Sequence, residues 1–275
     1  MPGADATAPR RLALVTGASA GIGESFAELL AERGFDLCLV ARRLDRLESL
    51  AGRLAKDHGV EASAIAADLA DPEAPERVVR AVADRGRAVD VLVNNAGYGL
   101  RQRFADASWS AQSEFLAVMT RAPLHLMRLV LPGMLARRWG RIVNVASLAA
   151  FAAEPPGSTY PATKQFLVSA SRGIWLAHRR SGVHVTASCP GFTTTEFHDV
   201  LGVRESMNSL PRFMWQSSRA VVEESWRAVE RNQPVVVTGA FNKVLAAAMH
   251  FLPFRLAARL TPRAIRDRAV MNHPS

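Results

Sequence analysis

The sequence has few cysteines and no long apolar run. Cys38 and Cys189 are its two cysteines, and they do not form a CxxC pair. Metal sites and redox pairs need more ligands nearby, so we interpret both as reduced thiols in buried strands, which predicts a cytoplasmic protein. No segment approaches the roughly 18 uninterrupted apolar residues of a membrane span. Residues 1–11 also lack the apolar core of a secretory signal and are expected to form a loose tail.

A stripe of basic and aromatic residues is missing too, although the net charge is +9. The arginines are scattered along the chain, which is typical of solvated helix faces and not of a nucleic-acid surface. We therefore predict no nucleic-acid partner. Neither an internal repeat nor a linker rich in serine, glycine and proline divides the chain, so its 275 residues predict a single domain.

The sequence does contain a regular alternation of short β-branched runs and longer amphipathic runs. Strands are predicted at 12–16, 36–41, 62–67, 89–93, 141–146, 183–188 and 235–238. Helices are predicted from the glycine turn to about residue 32, at 44–58, at 73–84, at 111–137 and from about 159 onward, and Pro123 is expected to kink or interrupt the fourth of them. This order predicts an α/β fold, a Rossmann-like doubly wound parallel sheet with a C-terminal helical extension.

A glycine-rich segment, TGASAGIG at residues 16–23, follows the first predicted strand. Glycines allow the backbone to approach a pyrophosphate closely, and the helix N-terminus beyond them offers free N–H groups to an anion. The spacing differs from the GxGxxG fingerprint. We predict a dinucleotide site that includes Thr16, Gly17, Ser19, Gly21, Ile22 and Gly23.

The end of the second strand indicates which dinucleotide is bound. Sites selective for NAD place an acidic residue there, whereas this chain has Ala41 followed by Arg42 and Arg43. A guanidinium pairs with a 2′-phosphate that a carboxylate would repel. We therefore predict NADP(H), with the main role for Arg42 and a supporting or solvent-facing role for Arg43.

Ser147, Tyr160 and Lys164 carry the predicted chemistry. Tyr160 and Lys164 are four residues apart and share one helix face. A phenol is a poor base at neutral pH, and a neighbouring ammonium is expected to lower its pKa. Tyr160 is predicted as the general acid or base, and Ser147 as a donor to the substrate oxygen. Pro161 is tolerable if Tyr160 lies in the first turn of its helix.

These motifs resemble the short-chain dehydrogenase/reductase family over about residues 10–240. The shared features are the glycine turn, Asp68-Leu69, the NNAG at residues 94–97, Ser147, the Tyr160 and Lys164 pair, and Pro190-Gly191. The resemblance implies that Asp68 contacts the adenine and that Lys164 holds the nicotinamide ribose. The further cofactor-binding residues that it implies are Leu69, Asn95, Ala96, Gly97, Tyr160, Pro190, Gly191, Thr193 and Thr195.

The resemblance also implies a small-molecule substrate and a homodimer or homotetramer. A lid at about 197–217 is rich in apolar residues and predicts a hydrophobic substrate contacted by Ser147, Tyr160, Phe192 and Trp215. We divide the chain into a tail at 1–10, a catalytic domain at 11–240 and a basic amphipathic extension at 241–275. That extension fits packing against the core, which we favour, or weak contact with an anionic membrane surface.

One residue departs from the family pattern. Met119 stands where the family has an asparagine that holds a water next to the lysine. A thioether is only a weak acceptor, so Met119 cannot replace that amide directly, although Thr120 or a backbone carbonyl could serve. We predict an NADP(H)-dependent oxidoreductase that interconverts a carbonyl and a hydroxyl. The alternative is an NADP(H)-binding sensor or scaffold with weak or no turnover.

Overall fold

The computed structural model describes residues 10–100, 102, 104–151, 158–194 and 214–251. Seven strands form one parallel sheet in the order β3-β2-β1-β4-β5-β6-β9. They are β1 (Leu12–Thr16), β2 (Asp36–Ala41), β3 (Ala62–Ala66), β4 (Val89–Asn94), β5 (Gly140–Val145), β6 (Val183–Cys189) and β9 (Val235–Val237). Each predicted strand agrees with the structure to within one residue at either end, and the predicted fold is confirmed.

Helices cover both faces of the sheet, and nearly all residues of β1, β2, β4, β5 and β6 are therefore buried, whereas the edge strands β3 and β9 are only partly buried. One apolar core lies between the sheet and α1 (Gly21–Glu32), α2 (Leu44–His58) and α7 (Ser218–Glu230). The other lies beneath α3 (Ala74–Ala83), α5 (Ala122–Ala136) and α6 (Tyr160–His178). The strand order reverses between β1 and β4, and in such sheets the crevice at the carboxyl ends beside the reversal receives the ligand.

The fourth predicted helix is interrupted in the structure. It consists of α4 (Trp109–Leu116), a π-helical turn (Ala117–Arg121) and α5. Pro123 lacks an N–H group and cannot bond the carbonyl four residues earlier, and the Ala122 N–H bonds the Ala117 carbonyl instead. The interruption expected from Pro123 therefore takes the form of one widened turn.

Two short strands and the helix that follows them were not predicted. A small parallel sheet pairs β7 (Phe192–Thr194) with β8 (Trp215–Ser217), and α7 follows it directly. Helix α8 (Ala240–Phe251) packs against β9 and the 3₁₀ turn Leu148–Phe151. None of the helices in the described part of the chain is long and apolar enough to cross a membrane.

Some sequence-based expectations lie outside the described residues. They are the tail at 1–9, Thr195, the lid up to residue 213 and the extension beyond 251. The division of the chain at residues 10 and 240 therefore stays a prediction.

Candidate active site

The glycine turn joins β1 to α1 at the carboxyl edge of the sheet. Gly17 and Gly21 have positive φ angles of 65° and 61°, a backbone region that favours glycine. A Cβ on Gly23 would lie 2.2 Å from the Gly17 carbonyl oxygen, so this position has no room for a side chain. Ala20 precedes the helix without a side-chain cap, which leaves first-turn N–H groups for an anion. The turn thus fits a pyrophosphate.

Hydrogen bonds fasten this turn to the end of β4. Thr16 Oγ1 donates to the Val93 carbonyl at 3.2 Å and accepts from the backbone N–H groups of Asn95 and Ala96 at 3.0 and 3.1 Å. The Asn95 amide donates to the carbonyls of Thr16 and Gly17 at 3.0 and 3.1 Å. Asn95 therefore holds the two predicted cofactor segments together.

The two arginines after β2 lie on the exposed surface near different partners. The Arg43 guanidinium donates to Ser19 Oγ at 3.1 Å, so it folds back over the glycine turn. Arg42 lies on the side of Tyr98, where its positive charge opposes the burial that raises the pKa of that phenol. Asp68 is exposed and accepts from the Ala70 N–H at 2.9 Å, and Leu69 beside it is buried. Both arginines are thus exposed at this edge of the sheet.

Ser147, Tyr160 and Lys164 come together beyond the ends of β5 and β6. The Ser147 hydroxyl lies close enough to the Tyr160 phenol to oppose the rise in the pKa of that phenol. Lys164 Nζ lies 5.6 Å from the centre of the Tyr160 ring and donates to the Val145 carbonyl at 2.8 Å. Pro161 occupies the first turn of α6, as its tolerance requires. The structure therefore assembles the three residues that were predicted to act together.

Burial dominates the protonation of this group. It raises the pKa of Tyr160 to about 12, against the opposing hydrogen bond from Ser147. This direction is opposite to the lowering expected from Lys164. Removing the phenolate from water raises its free energy by more than the neighbouring groups lower it. Burial also lowers the pKa of Lys164 to about 8. At neutral pH the pair therefore consists of a neutral phenol and an ammonium, which suits proton donation.

Apolar and weakly polar groups enclose the lysine. A Cβ on Gly97 would lie 3.0 Å from Met119 Sδ and 3.7 Å from Lys164 Nζ, so these side chains flank the same glycine. Met119 is 1% exposed. The Cys189 thiol is close enough for the Lys164 charge to oppose the burial that raises its pKa to about 12. Thr120 donates to the Leu116 carbonyl at 2.6 Å and so bonds within its own helical segment.

Two of the predicted substrate residues, Phe192 and Trp215, lie together on the small second sheet. The rings of Phe192 and Trp215 lie 5.9 Å apart, on the paired strands β7 and β8. Thr193, which follows Phe192 in β7, is buried and donates to the Gly191 carbonyl at 3.1 Å. The Leu148 N–H donates to the Pro190 carbonyl at 2.8 Å, which joins the segment before β7 to the turn after Ser147.

Three residues next to the site were missed by the sequence reasoning. Gln112 of α4 is buried and accepts from Thr159, the neighbour of Tyr160, at 3.3 Å. Gln216 and Asn242 meet beside Gly191. Asn242 could have been noticed because it is a polar residue inside an otherwise apolar run, but its partners are far away in the sequence.

Comparison with known proteins gives consistent results. A family described as short chain dehydrogenase matches residues 11–205. A very-long-chain 3-oxoacyl-CoA reductase from Anas platyrhynchos is 33% identical over 192 residues, which cover 68% of this chain and 61% of that protein. The chain therefore spans about three fifths of the length of this relative.

Two further proteins match over more of their length. The granaticin polyketide synthase putative ketoacyl reductase 1 from Streptomyces violaceoruber is 33% identical over 270 residues, covering 94% of this chain and 92% of that protein. A solved short-chain dehydrogenase from Sphingobium yanoikuyae in complex with NADPH is 33% identical, with a TM-score of 0.76 and coverage of 86% of this chain and 93% of that one.

Proposed function

This chain belongs to the short-chain dehydrogenase family, and from that premise we propose that it is an NADP(H)-dependent oxidoreductase that interconverts a carbonyl and a hydroxyl on a hydrophobic small molecule. One observation carries the proposal. The Ser147 hydroxyl lies near the Tyr160 phenol, and Lys164 Nζ lies 5.6 Å from the centre of its ring, at the sheet edge that also bears the glycine turn.

The roles follow from the protonation of the three residues. The bound nicotinamide would supply or accept the hydride. Tyr160, a neutral phenol at pH 7, donates its proton to the substrate oxygen in reduction, and Ser147 donates a hydrogen bond to the same oxygen as charge develops there. Lys164 keeps its charge at neutral pH and binds the ribose hydroxyls of the cofactor. In the reverse direction Tyr160 accepts the proton.

The preference for NADP(H) is supported by the arginine pair. Arg43 lies against Ser19 in the glycine turn, and Arg42 follows a strand that ends without an acidic residue. A similar short-chain dehydrogenase has been solved with NADPH. A 2′-phosphate placed between these guanidinium groups would gain charge-assisted hydrogen bonds that NADH cannot make.

The substrate class is proposed from the wall of the site and from the relatives. Phe192 and Trp215 offer an apolar surface, and two relatives are named as 3-oxoacyl-CoA and ketoacyl reductases. Hydrophobic ketones and 3-oxoacyl thioesters are therefore the compounds to test first. We also propose a homodimer or homotetramer, as the family resemblance implies. A cytoplasmic location is proposed because Cys38 and Cys189 are free, buried thiols.

The experiment is an NADPH-dependent reduction assay with those compounds. Tyr160→Phe removes the transferable proton and should lower kcat by about a hundredfold or more. It should leave the Kd for NADPH, measured by fluorescence titration, nearly unchanged. Tyr98→Phe removes a tyrosine hydroxyl that is not part of the Ser147, Tyr160 and Lys164 group, and it is the matched control. Full activity of Tyr160→Phe on an established substrate would overturn the mechanism.

The non-catalytic alternative rests on Met119 alone. The similar proteins described above are reductases or dehydrogenases by name, and Ser147, Tyr160 and Lys164 are assembled. Both points favour an enzyme over a sensor or scaffold.

A further inference from the structure

Asn242 is a buried amide in the first turn of α8. It is 2% exposed, although its neighbours Phe241 and Lys243 lie on the surface. It also lies beyond the residues matched by the family, 11–205. The reason for burying a polar side chain at this position must therefore be sought in its contacts.

The hydrogen bonds of Asn242 are incomplete. Its Nδ2 donates to the Thr238 carbonyl at 2.9 Å and lies 3.2 Å from the Gln216 side-chain amide. Its Oδ1 is buried and has no hydrogen-bond partner among the residues that the structure describes. An unsatisfied buried acceptor destabilises a fold, so a residue of this kind calls for a reason beyond packing.

The amide of Asn242 lies against the backbone of Gly191. The three atoms closest to the missing Cβ of Gly191 all belong to Asn242, at 2.4 to 2.5 Å. Gly191 does not have a positive φ angle. This glycine is therefore required for space and not for conformation, and Asn242 fills that space.

Gly191 connects Asn242 to two segments of the proposed active site, strand β7 and the turn after Ser147. Its carbonyl accepts from Thr193 at 3.1 Å, and Gln216, the other neighbour of Asn242, pairs in register with Thr193. Pro190, directly before Gly191, accepts from the Leu148 N–H next to Ser147. One amide thus contacts the loop after β6 and the β7–β8 pair.

We propose that Asn242 is a positioning residue for the nicotinamide end of the cofactor. This inference rests on the proposed function. Its amide packs against Gly191 and contacts Gln216, which pairs in register with Thr193. The family resemblance implies that Thr193 sits near the nicotinamide carboxamide, while the glycine turn and the arginine pair would bind the adenosine end. Helix α8 is therefore part of the cofactor site, and its loss would affect one half of the cofactor only.

The test separates the two halves of the cofactor. Asn242→Ala should weaken NADPH binding and lower kcat by about tenfold, because small displacements of reacting groups are costly. Binding of adenosine 2′,5′-bisphosphate, which lacks the nicotinamide, should stay unchanged. Lys243→Ala, a neighbouring exposed residue that pairs with Glu224 at 2.9 Å, should leave all three quantities unchanged. Asn242→Ser replaces the alanine variant if that protein does not fold.

A second variant tests the contact itself. Gly191→Ala should be severely impaired in NADPH binding because its Cβ would overlap the amide. The double variant Gly191→Ala with Asn242→Ala should bind NADPH better than Gly191→Ala alone. Unchanged NADPH binding in Asn242→Ala, or equal losses for NADPH and the bisphosphate, would overturn the proposal. Failure of the wild-type protein to bind NADPH would instead overturn the proposed function.

Discussion

Lys164 Nζ donates a 2.8 Å hydrogen bond to the Val145 carbonyl, at the end of the strand that precedes Ser147. The lysine is thereby anchored to the sheet and does not depend on a side chain of the interrupted helix. Because its ammonium is buried, its charge is lost at a lower pH than in an exposed lysine. That shift gives the first prediction.

We expect NADPH affinity to fall as the pH rises through about 8, where Lys164 loses its proton. Tyr160 and Cys189, with pKa values of about 12, do not titrate in this range. A fluorescence Kd series from about pH 7 to about pH 9.5 checks this. Lys164→Met should bind weakly with no such decrease, and a flat wild-type profile would contradict the prediction.

Stability should respond in the opposite direction. Because the pKa of Lys164 is lowered from 10.5 to about 8 in the folded state, the unfolded chain binds more protons between these values. The contribution of Lys164 to the free energy of unfolding therefore rises as the pH goes from about 8 towards 10.5. Urea unfolding of wild type and Lys164→Met across this window checks this prediction. The free energy of unfolding of wild type should rise relative to that of Lys164→Met as the pH increases.

Met119→Asn should increase turnover at the expense of stability. The amide can hold a water beside Lys164, which the thioether cannot, so kcat should rise by about threefold or more. Burying that amide in place of an apolar side chain should cost about 1–3 kcal/mol. Steady-state kinetics and urea unfolding test both parts. Met119→Leu, which restores no polar group, is the control, and an equal rise in its kcat would refute the explanation.

The arginine pair should determine cofactor choice. Arg42→Ala and Arg43→Ala should each raise the KM for NADPH by about tenfold, the effect of losing a hydrogen bond to a charged group. The KM for NADH should change little, since NADH has no 2′-phosphate. Arg46→Ala, a nearby exposed arginine of α2, controls for net charge. A parallel rise for both cofactors in the Arg42 and Arg43 variants would show that these residues act elsewhere.

Two glycines should respond oppositely to alanine. Gly23→Ala forces a Cβ to within 2.2 Å of the Gly17 carbonyl oxygen, so it should destabilise the protein by about 2 kcal/mol and abolish NADPH binding. Gly52 lies inside α2 with no atom near its missing Cβ, and alanine there should stabilise the fold by about 0.5–1 kcal/mol. Urea unfolding distinguishes them, and equal effects of the two changes would contradict this account.

The sequence predicted the sheet closely because each strand is a local signal. Runs such as residues 36–41 are apolar, short and bounded by turn residues, and parallel strands need little else to be recognised. Ser147, Tyr160 and Lys164 were found in the same way, since their spacing along one strand end and one helix is local. Their assembly in the structure follows from the parallel order of β4, β5 and β6.

The missed features depend on distant partners. Strand β7 has three residues and is paired with β8 more than twenty positions later, so no local pattern marks it. Helix α7 had a usable signal in the Ser217 cap and in its buried face, which includes Val222, Trp226 and Val229. The direction of the Tyr160 pKa was wrong because burial is a property of the whole fold.

The π turn at residues 117–121 determines how the chain tolerates changes of length. Each residue of an α-helix advances about 100° around the axis, so one residue inserted or deleted here would rotate α4 by that angle relative to α5. Gln112, now buried against Thr159, would turn away, and the exposed Trp109 would move to a different face. Relatives with one residue more or fewer in this turn would therefore present a different face of α4 beside Thr159. Ser147, Tyr160 and Lys164 would keep their places.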